Sequence, residues 1–251
     1  MSIKTQNQKK DFMIKEANQV SLFSSFKWVY KGFEDFLYMP LISLFYGLSF
    51  MFATLTIMLF VQYQNSGFVI LPSLILFIMM GPYLALGLYH ASMKRNEGGN
   101  PNLWDSINAV RINTAQQSYF ALMLGLFMIL WTRVAAVLHA LYPQVTNAPL
   151  EDYLVFLSIG SGIGLVFLII LFGMAAFSIP LMLDDEDSDV FSAVFSSFKA
   201  VNENKGAMIV WASIILVMTA IGVFTKGYGM VITMPILGYA TWHGYKEVLK
   251  K

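Results

Sequence analysis

Three histidines, one arginine inside an apolar run and a short run of acids are the side chains of this chain with the most chemistry open to them. His90 and His243 close two apolar segments at matching places, Leu86-Gly87-Leu88-Tyr89-His90 and Leu237-Gly238-Tyr239-Ala240-Thr241-Trp242-His243. Imidazole is a good ligand for haem or a metal, so this pair is the candidate cofactor-binding set. A metal or haem site needs several convergent groups and a supporting shell, and none of the familiar histidine spacings is present. His139 belongs to the opposite end of its segment and cannot join the pair. The alternative is interfacial histidines bonded to backbone or water, with no metal and no cofactor.

Arg133 lies in Leu130-Trp131-Thr132-Arg133-Val134. A charge at the centre of a bilayer costs ~3 kcal/mol or more, so it must snorkel, pair or line a wet cavity. It is read either as a structural anchor or as a functional intramembrane charge, with Glu151 and Asp152 as candidate partners. The acidic run Asp184-Asp185-Glu186-Asp187-Ser188-Asp189 lacks the spaced oxygen donors of an EF-hand and reads as a solvated capping loop before a helix. The sixteen methionines include Met230 and Met234, one helical turn apart. Thioethers bind Cu(I), but Met also fills helix interfaces, and no Met ladder runs through one segment. Gly160-Ser161-Gly162-Ile163-Gly164 resembles a nucleotide-binding glycine motif but lies inside an apolar run. A small-residue face for close helix packing explains it better. No Ser-His-Asp set, paired acid/base carboxylates, phosphate-binding loop or nucleic-acid module is evident. No catalytic residue, no enzymatic activity and no nucleic-acid partner are expected. The chain has no cysteine, which excludes disulfides and thiolate metal sites.

The elements that must position these residues follow from composition. Hydrophobic residues are 57% of the chain and charged residues 12%, about half the charge of a soluble domain. Stretches 41–93 and 154–183 carry no charge at all. Such all-round apolarity fits a bilayer, where every face of a helix can meet lipid. Residues 1–15 are polar and lysine-rich, unlike a signal peptide. Six spans are read, at 40–61, 71–93, 119–141, 154–183, 207–224 and 228–245, each near the ~20 residues that cross a bilayer. They lack the alternation that strands need. All Lys and Arg except Arg133 and Lys226 fall before the first span, between the second and third, between the fourth and fifth, or after the sixth. That bias places both termini in the cytosol. Residues 65–67, 143–149 and 226–227 become short external turns.

Phe-Ser-Ser-Phe-Lys occurs at 23–27 and again at 195–199. Each copy opens an amphipathic stretch before a pair of spans, and 102–117 is a third such stretch. Ala109-Val110 matches Ala200-Val201, with Trp28-Val29 as the counterpart in the first unit. Pro82, Pro180 and Pro235 each fall in the second span of a unit, where they can kink the helix. The expected fold is therefore an all-α polytopic membrane bundle. Its six transmembrane helices form three like-oriented hairpins, each preceded by an amphipathic cytosolic helix. These helices either lie in the headgroup plane or pack on the ends of the spans. The units are 20–101, 102–188 and 189–251, after a flexible cytosolic tail over 1–19.

Several short motifs carry a family likeness. They are 28–36 with Pro40-Leu41, Tyr46-Gly47-Leu48, Gly87-Leu88-Tyr89 followed by Asn96-Glu97-Gly98, Phe177-Ser178-Ile179-Pro180-Leu181, Ala200-Val201-Asn202, and Pro235 with 237–243. In their order the chain resembles bacterial six-span inner-membrane proteins of unknown function, over residues 26–245. Some of those relatives carry a label as cytochrome c oxidase subunits. The resemblance implies a bacterial inner-membrane location and, at most, association with a respiratory oxidase. The redox subunit itself needs several membrane histidines. The expected role is an accessory or assembly partner of such a complex. The alternatives are a passive transporter or channel for a small solute, and a haem- or copper-binding assembly factor.

Overall fold

The computed structural model describes residues 14–64, 70–112, 114–141, 150–185 and 187–250. Among the described residues there are ten helices and no strand. In chain order they are α1 (Ser24–Tyr38), α2 (Pro40–Gln64), α3 (Ile70–Asn96), α4 (Leu103–Ile112), α5 (Thr114–Leu141), α6 (Leu150–Ala175), α7 (Ser178–Asp184), α8 (Val190–Glu203), α9 (Lys205–Phe224) and α10 (Met230–Leu249). The turns expected at 65–67 and 143–149 lie outside the described residues.

Among the described residues, four stretches are long and apolar enough to cross a membrane: Pro40–Tyr63, Thr114–Leu141, Leu154–Asp184 and Lys205–Phe224. Six were expected. The other two, 71–93 and 228–245, are helical, as α3 and α10. Thr233, Thr241, His243, Lys246 and Glu247 dilute α10, while the side chains of residues 71–80 in α3 lie outside those described. For α10 the physical reason is enclosure. It packs against α1, α2, α3 and α9, and most of its residues are buried. A helix fenced by its neighbours can hold polar groups that a lipid-facing helix cannot.

Close backbone approach makes this enclosure tight. Pro235 has no N–H, so the Val231 carbonyl lacks its usual helical donor. Gly47 of α2 packs onto that carbonyl so closely that a Cβ would overlap it. At Gly32 of α1 a Cβ would stand 2.6 Å from the Ile236 carbonyl oxygen. Trp28, Trp211, Trp242, Phe120 and Phe177 belong to one buried core, and Tyr46, Met230 and Tyr239 to a second, against which Val231 packs.

Three short helices, α1, α4 and α8, pack on longer ones: α1 on α10, α4 on α3, and α8 on α6, with α8 also touching the seven-residue α7. Each carries a fully buried serine that donates to a main-chain carbonyl. Ser25 bonds Ala207 (2.9 Å), Ser106 bonds Gly87 (2.7 Å) and Ser197 bonds Gly173 (2.7 Å). Ser197 has a second task. The helix breaks at Ala176–Phe177, between α6 and α7, and the Phe177 N–H donates to the Ser197 hydroxyl at 3.0 Å. The hydroxyl thus stands between a donor and an acceptor that a continuous helix would have paired.

Of the tail expected over 1–19, the described residues 14–19 form, with Val20, a strap across α8 and α10. The Asn18 N–H bonds the Val248 carbonyl at 2.8 Å, the Val20 N–H bonds Asn204 Oδ1 at 2.9 Å, and Lys15 pairs with Asp185 at 2.6 Å. The Glu16 carboxylate, 3.0 Å from Lys199, holds that ammonium above its ordinary pKa by hydrogen bonding. Polar segments give no periodic signal, so these long-range bonds are invisible in the sequence. Where the turn at 226–227 was expected, α9 ends with Gly227 N–H on the Gly222 carbonyl and Lys226 N–H on Val223, with Lys226 at φ 56° and Gly227 at φ 90°. This is the Schellman closure of a helix.

Replacing Gly47 with leucine should separate α2 from α10. The expected cost is about 1–3 kcal/mol, as for other overpacked interiors. It should appear as a lower midpoint of thermal unfolding in detergent, and an unchanged midpoint would contradict the packing described.

Candidate functional site

Lys27, Lys31 and Glu34 form the exposed polar side of α1. Asp35 is not on that side. The buried stripe of α1 is Ser24, Ser25, Trp28, Gly32 and Asp35, and Asp35 is only 2% exposed. A carboxylate without water must be satisfied by protein groups. Both oxygens of Asp35 are. Oδ1 accepts from the Arg95 guanidinium, and Oδ2 accepts from the Ser92 hydroxyl and from His243 Nε2 at 3.0 Å. Arg95 also lies over the Tyr38 ring, 4.2 Å from its centroid. One carboxylate therefore ties α1 to α3 and to α10.

Similar links surround it. The Ser43 and Tyr239 hydroxyls bond at 3.1 Å, and the Ser106 hydroxyl lies 2.9 Å from that of Tyr46. Glu247 accepts from Ser24 at 2.8 Å and from Trp28 Nε1 at 2.9 Å. Asp184 accepts from Tyr245 at 2.8 Å and from Lys250 at 2.7 Å. In the acidic run, Asp189 caps α8 by accepting from the Ser192 N–H at 2.7 Å, as a carboxylate at a helix start can.

The candidate residues do not converge. His243 is in the cluster, with Nε2 committed to Asp35. His90, on α3, faces Asp105, Lys94 and Glu97, and its buried Nδ1 has no hydrogen-bond partner among the described residues. Among the described residues no three His, Cys, Asp or Glu side chains are grouped as metal ligands. Arg133 is exposed on α5, and the side chains of Glu151 and Asp152 lie outside those described. His139 is exposed, with its ring 6.5 Å from that of Phe156. The small-residue face expected to pack closely does so only at one end. A Cβ at Gly164 would stand 3.2 Å from Trp131, while one at Gly160 or Gly162 would meet nothing within 4 Å among the described residues.

Ser92, Asp35 and His243 are the residue types of a hydrolytic triad, but their order of contact differs. Asp35 sits between the serine and the histidine, so no base rests on the Ser92 hydroxyl. The arrangement is suited to holding three helices together. Asp35 escaped the sequence reading because it is one residue from Glu34 and 100° away around the helix. Its spacing of seven from Trp28 and three from Gly32 is the signal that would have found it.

Removing the carboxylate should be costly, since Arg95 and His243 would lose their shared partner. Asp35→Ala is expected to destabilise by about 3–5 kcal/mol, against little change for exposed Glu34→Ala. Thermal unfolding of the two variants side by side tests this, and equal midpoints would refute it. Gln117 gives a prediction of opposite sign. It is 1% exposed, and both of its amide atoms lack partners among the described residues. Gln117→Met should raise the midpoint, by about 1 kcal/mol in stability, because it removes an unsatisfied polar group at similar volume.

Residues 70–184, just under half of the chain, match the family model described as "Predicted integral membrane protein (DUF2189)". The match runs from α3 to α7 and includes His90 and Arg133 but not Asp35 or His243. No curated protein and no solved structure matches the chain. With that likeness and its long apolar helices, the chain is an integral membrane protein in contact with the lipid bilayer.

Proposed function

We propose that this is a non-enzymatic accessory protein of the bacterial inner membrane whose lipid-level helices pack against other membrane subunits. The partner implied by the sequence resemblance is a respiratory oxidase of the cytochrome c type. The observation that carries the reading is α6. Leu154, Val155, Leu157, Ile159, Leu165, Val166, Leu168 and Ile169 are all exposed, and a Cβ at Gly160 or Gly162 would meet nothing within 4 Å among the described residues. Small residues let a second helix approach to backbone distance, and in lipid that close packing is a main source of helix association. Its free stretch runs beside the outer part of α5, where Leu126, Ile129, Leu130, Val137 and Leu141 are also exposed.

In this reading α3 and α10 also cross the membrane, giving three like-oriented hairpins: α2 with α3, α5 with α6, and α9 with α10. The packing of α4 on α3, α8 on α6 and α1 on α10 supports it, because each short helix then rests on the closing helix of the preceding unit. The end that carries the short helices lies in the cytosol, in keeping with its lysines and arginines. A passive transporter is the weaker reading. The interior of that end is filled by Trp28, Trp211, Trp242 and Tyr239. A cavity among the described residues is lined by Leu59, Phe60, Gln62 and Tyr63, near the far end of α2.

The test is affinity capture from native membranes in mild detergent, followed by mass spectrometry. Oxidase subunits should co-purify. Gly160→Leu should reduce their recovery without lowering the unfolding midpoint, since no neighbour within the chain is displaced. Capture of the chain alone, together with normal oxidase activity in a deletion strain, would sink the proposal.

A further inference from the structure

Helices α1 and α8 each have three sectors. The first faces the bundle, through Ser24, Ser25, Trp28, Gly32 and Asp35 in α1 and Ser192, Ala193, Ser196, Ser197 and Ala200 in α8. The second is apolar yet exposed. In α1 it is Phe23 (68%), Phe26 (56%), Tyr30 (64%), Phe33 (45%) and Leu37 (60%), and in α8 it is Phe191 (65%), Phe195 (53%) and Phe198 (42%). The third is polar: Lys27, Lys31 and Glu34 in α1, and Lys199 and Glu203 in α8. At 100° per residue, the apolar sector lies within about 15° of opposite the bundle sector in both helices, and the polar sector follows about 90° further in the same rotational sense. Aromatic faces this large are not left in water by a soluble surface. Nor are these helices buried in hydrocarbon, because the polar strip of α1 runs its whole length. It ends at Tyr38, under the Arg95 guanidinium.

We infer that α1 and α8 lie in the headgroup layer of one leaflet, apolar sector against the acyl chains and polar sector toward water, as parts of a collar around the bundle. The bilayer is the occupant because the apolar sector of α1 is continuous with an established lipid contact. Leu37 and Tyr38 lead directly to exposed Leu41, Leu44 and Phe45 at the start of α2, a helix long and apolar enough to cross the membrane. The matching sector order adds a second constraint. Two helices that lie on one leaflet with the bundle on the same hand must run around it in the same rotational sense, which like-oriented units require.

The absence of cysteine makes a direct test available. Single variants Phe26→Cys, Phe33→Cys and Phe191→Cys report on the apolar sectors, and Lys27→Cys, Lys31→Cys and Glu203→Cys on the polar ones. The first five positions and Glu203 lie away from the bundle sectors, so the fold should be retained, which the elution profile of each purified variant checks. Each full-length variant carries a fluorescent maleimide and is reconstituted alone into phosphatidylcholine–phosphatidylglycerol liposomes. Quenching is read with lipid bearing a nitroxide near the glycerol, and separately with aqueous iodide. The expected result is lipid-borne quenching about threefold stronger in the apolar set and iodide quenching about threefold stronger in the polar set. Iodide quenching of the apolar set equal to that of the polar set would overturn the inference and mark these faces as a docking surface for a soluble protein. Strong lipid quenching of both sets would overturn it as well, by placing the helices deep in hydrocarbon.

Discussion

A carboxylate shut away from water has to collect its hydrogen bonds from the protein, and that requirement organises this fold. Asp35 takes them from Ser92 and Arg95 on α3 and from His243 on α10. The geometry of three helices is thereby fixed at one point. Surface ion pairs contribute little, but breaking a buried one is expensive, because the partner charge stays behind. Helices in lipid cannot rely on the hydrophobic effect to choose neighbours. A saturated polar knot supplies the choice that apolar contact cannot.

The rest of that end applies the same logic to the backbone. Carbonyls that would lack donors are met by side chains or by close packing. The Gly173 carbonyl, left without its helical donor at the break, receives Ser197, and the Val231 carbonyl, freed by Pro235, is covered by Gly47. Glycine is needed at 47 and 32 because any Cβ would force α2 or α1 away from α10. The buried polar groups and the glycines thus depend on one another. The hydrogen bonds require short distances, and the missing side chains allow them.

Much of this was legible in the sequence wherever a helix meets lipid on several sides. For α2, α5, α6 and α9 the environment dictates composition, so length and apolarity suffice to find them. The principle fails for α10, whose surroundings are protein, so that its polar residues follow its neighbours. Asp35 was hidden for a related reason. An acid beside Glu34 looks like one more residue of a charged face, and only the angle around the helix separates them. The strap at 14–20 and the break at 176–177 were out of reach. Their hydrogen bonds join residues far apart in sequence, such as Asn18 with Val248 and Phe177 with Ser197. Pro180 marked the region of the break, but not the hydroxyl that satisfies it.

The two ends of the molecule differ in a way that follows from where its polar groups are. The end with the short helices is closed by Asp35, Glu247, Asp184 and Asn204, and its contacts are specific and mutually dependent. The free stretch of α6 has no such groups. Its exposed leucines, valines and isoleucines are as well solvated by acyl chains as by another helix, so nothing within the chain draws it inward. A hairpin rooted in a rigid base yet uncommitted along its length can receive a partner without rearranging the base. Partner selection would then rest on shape at Gly160, with Ser158 and Ser161 the polar side chains in the described part of that stretch.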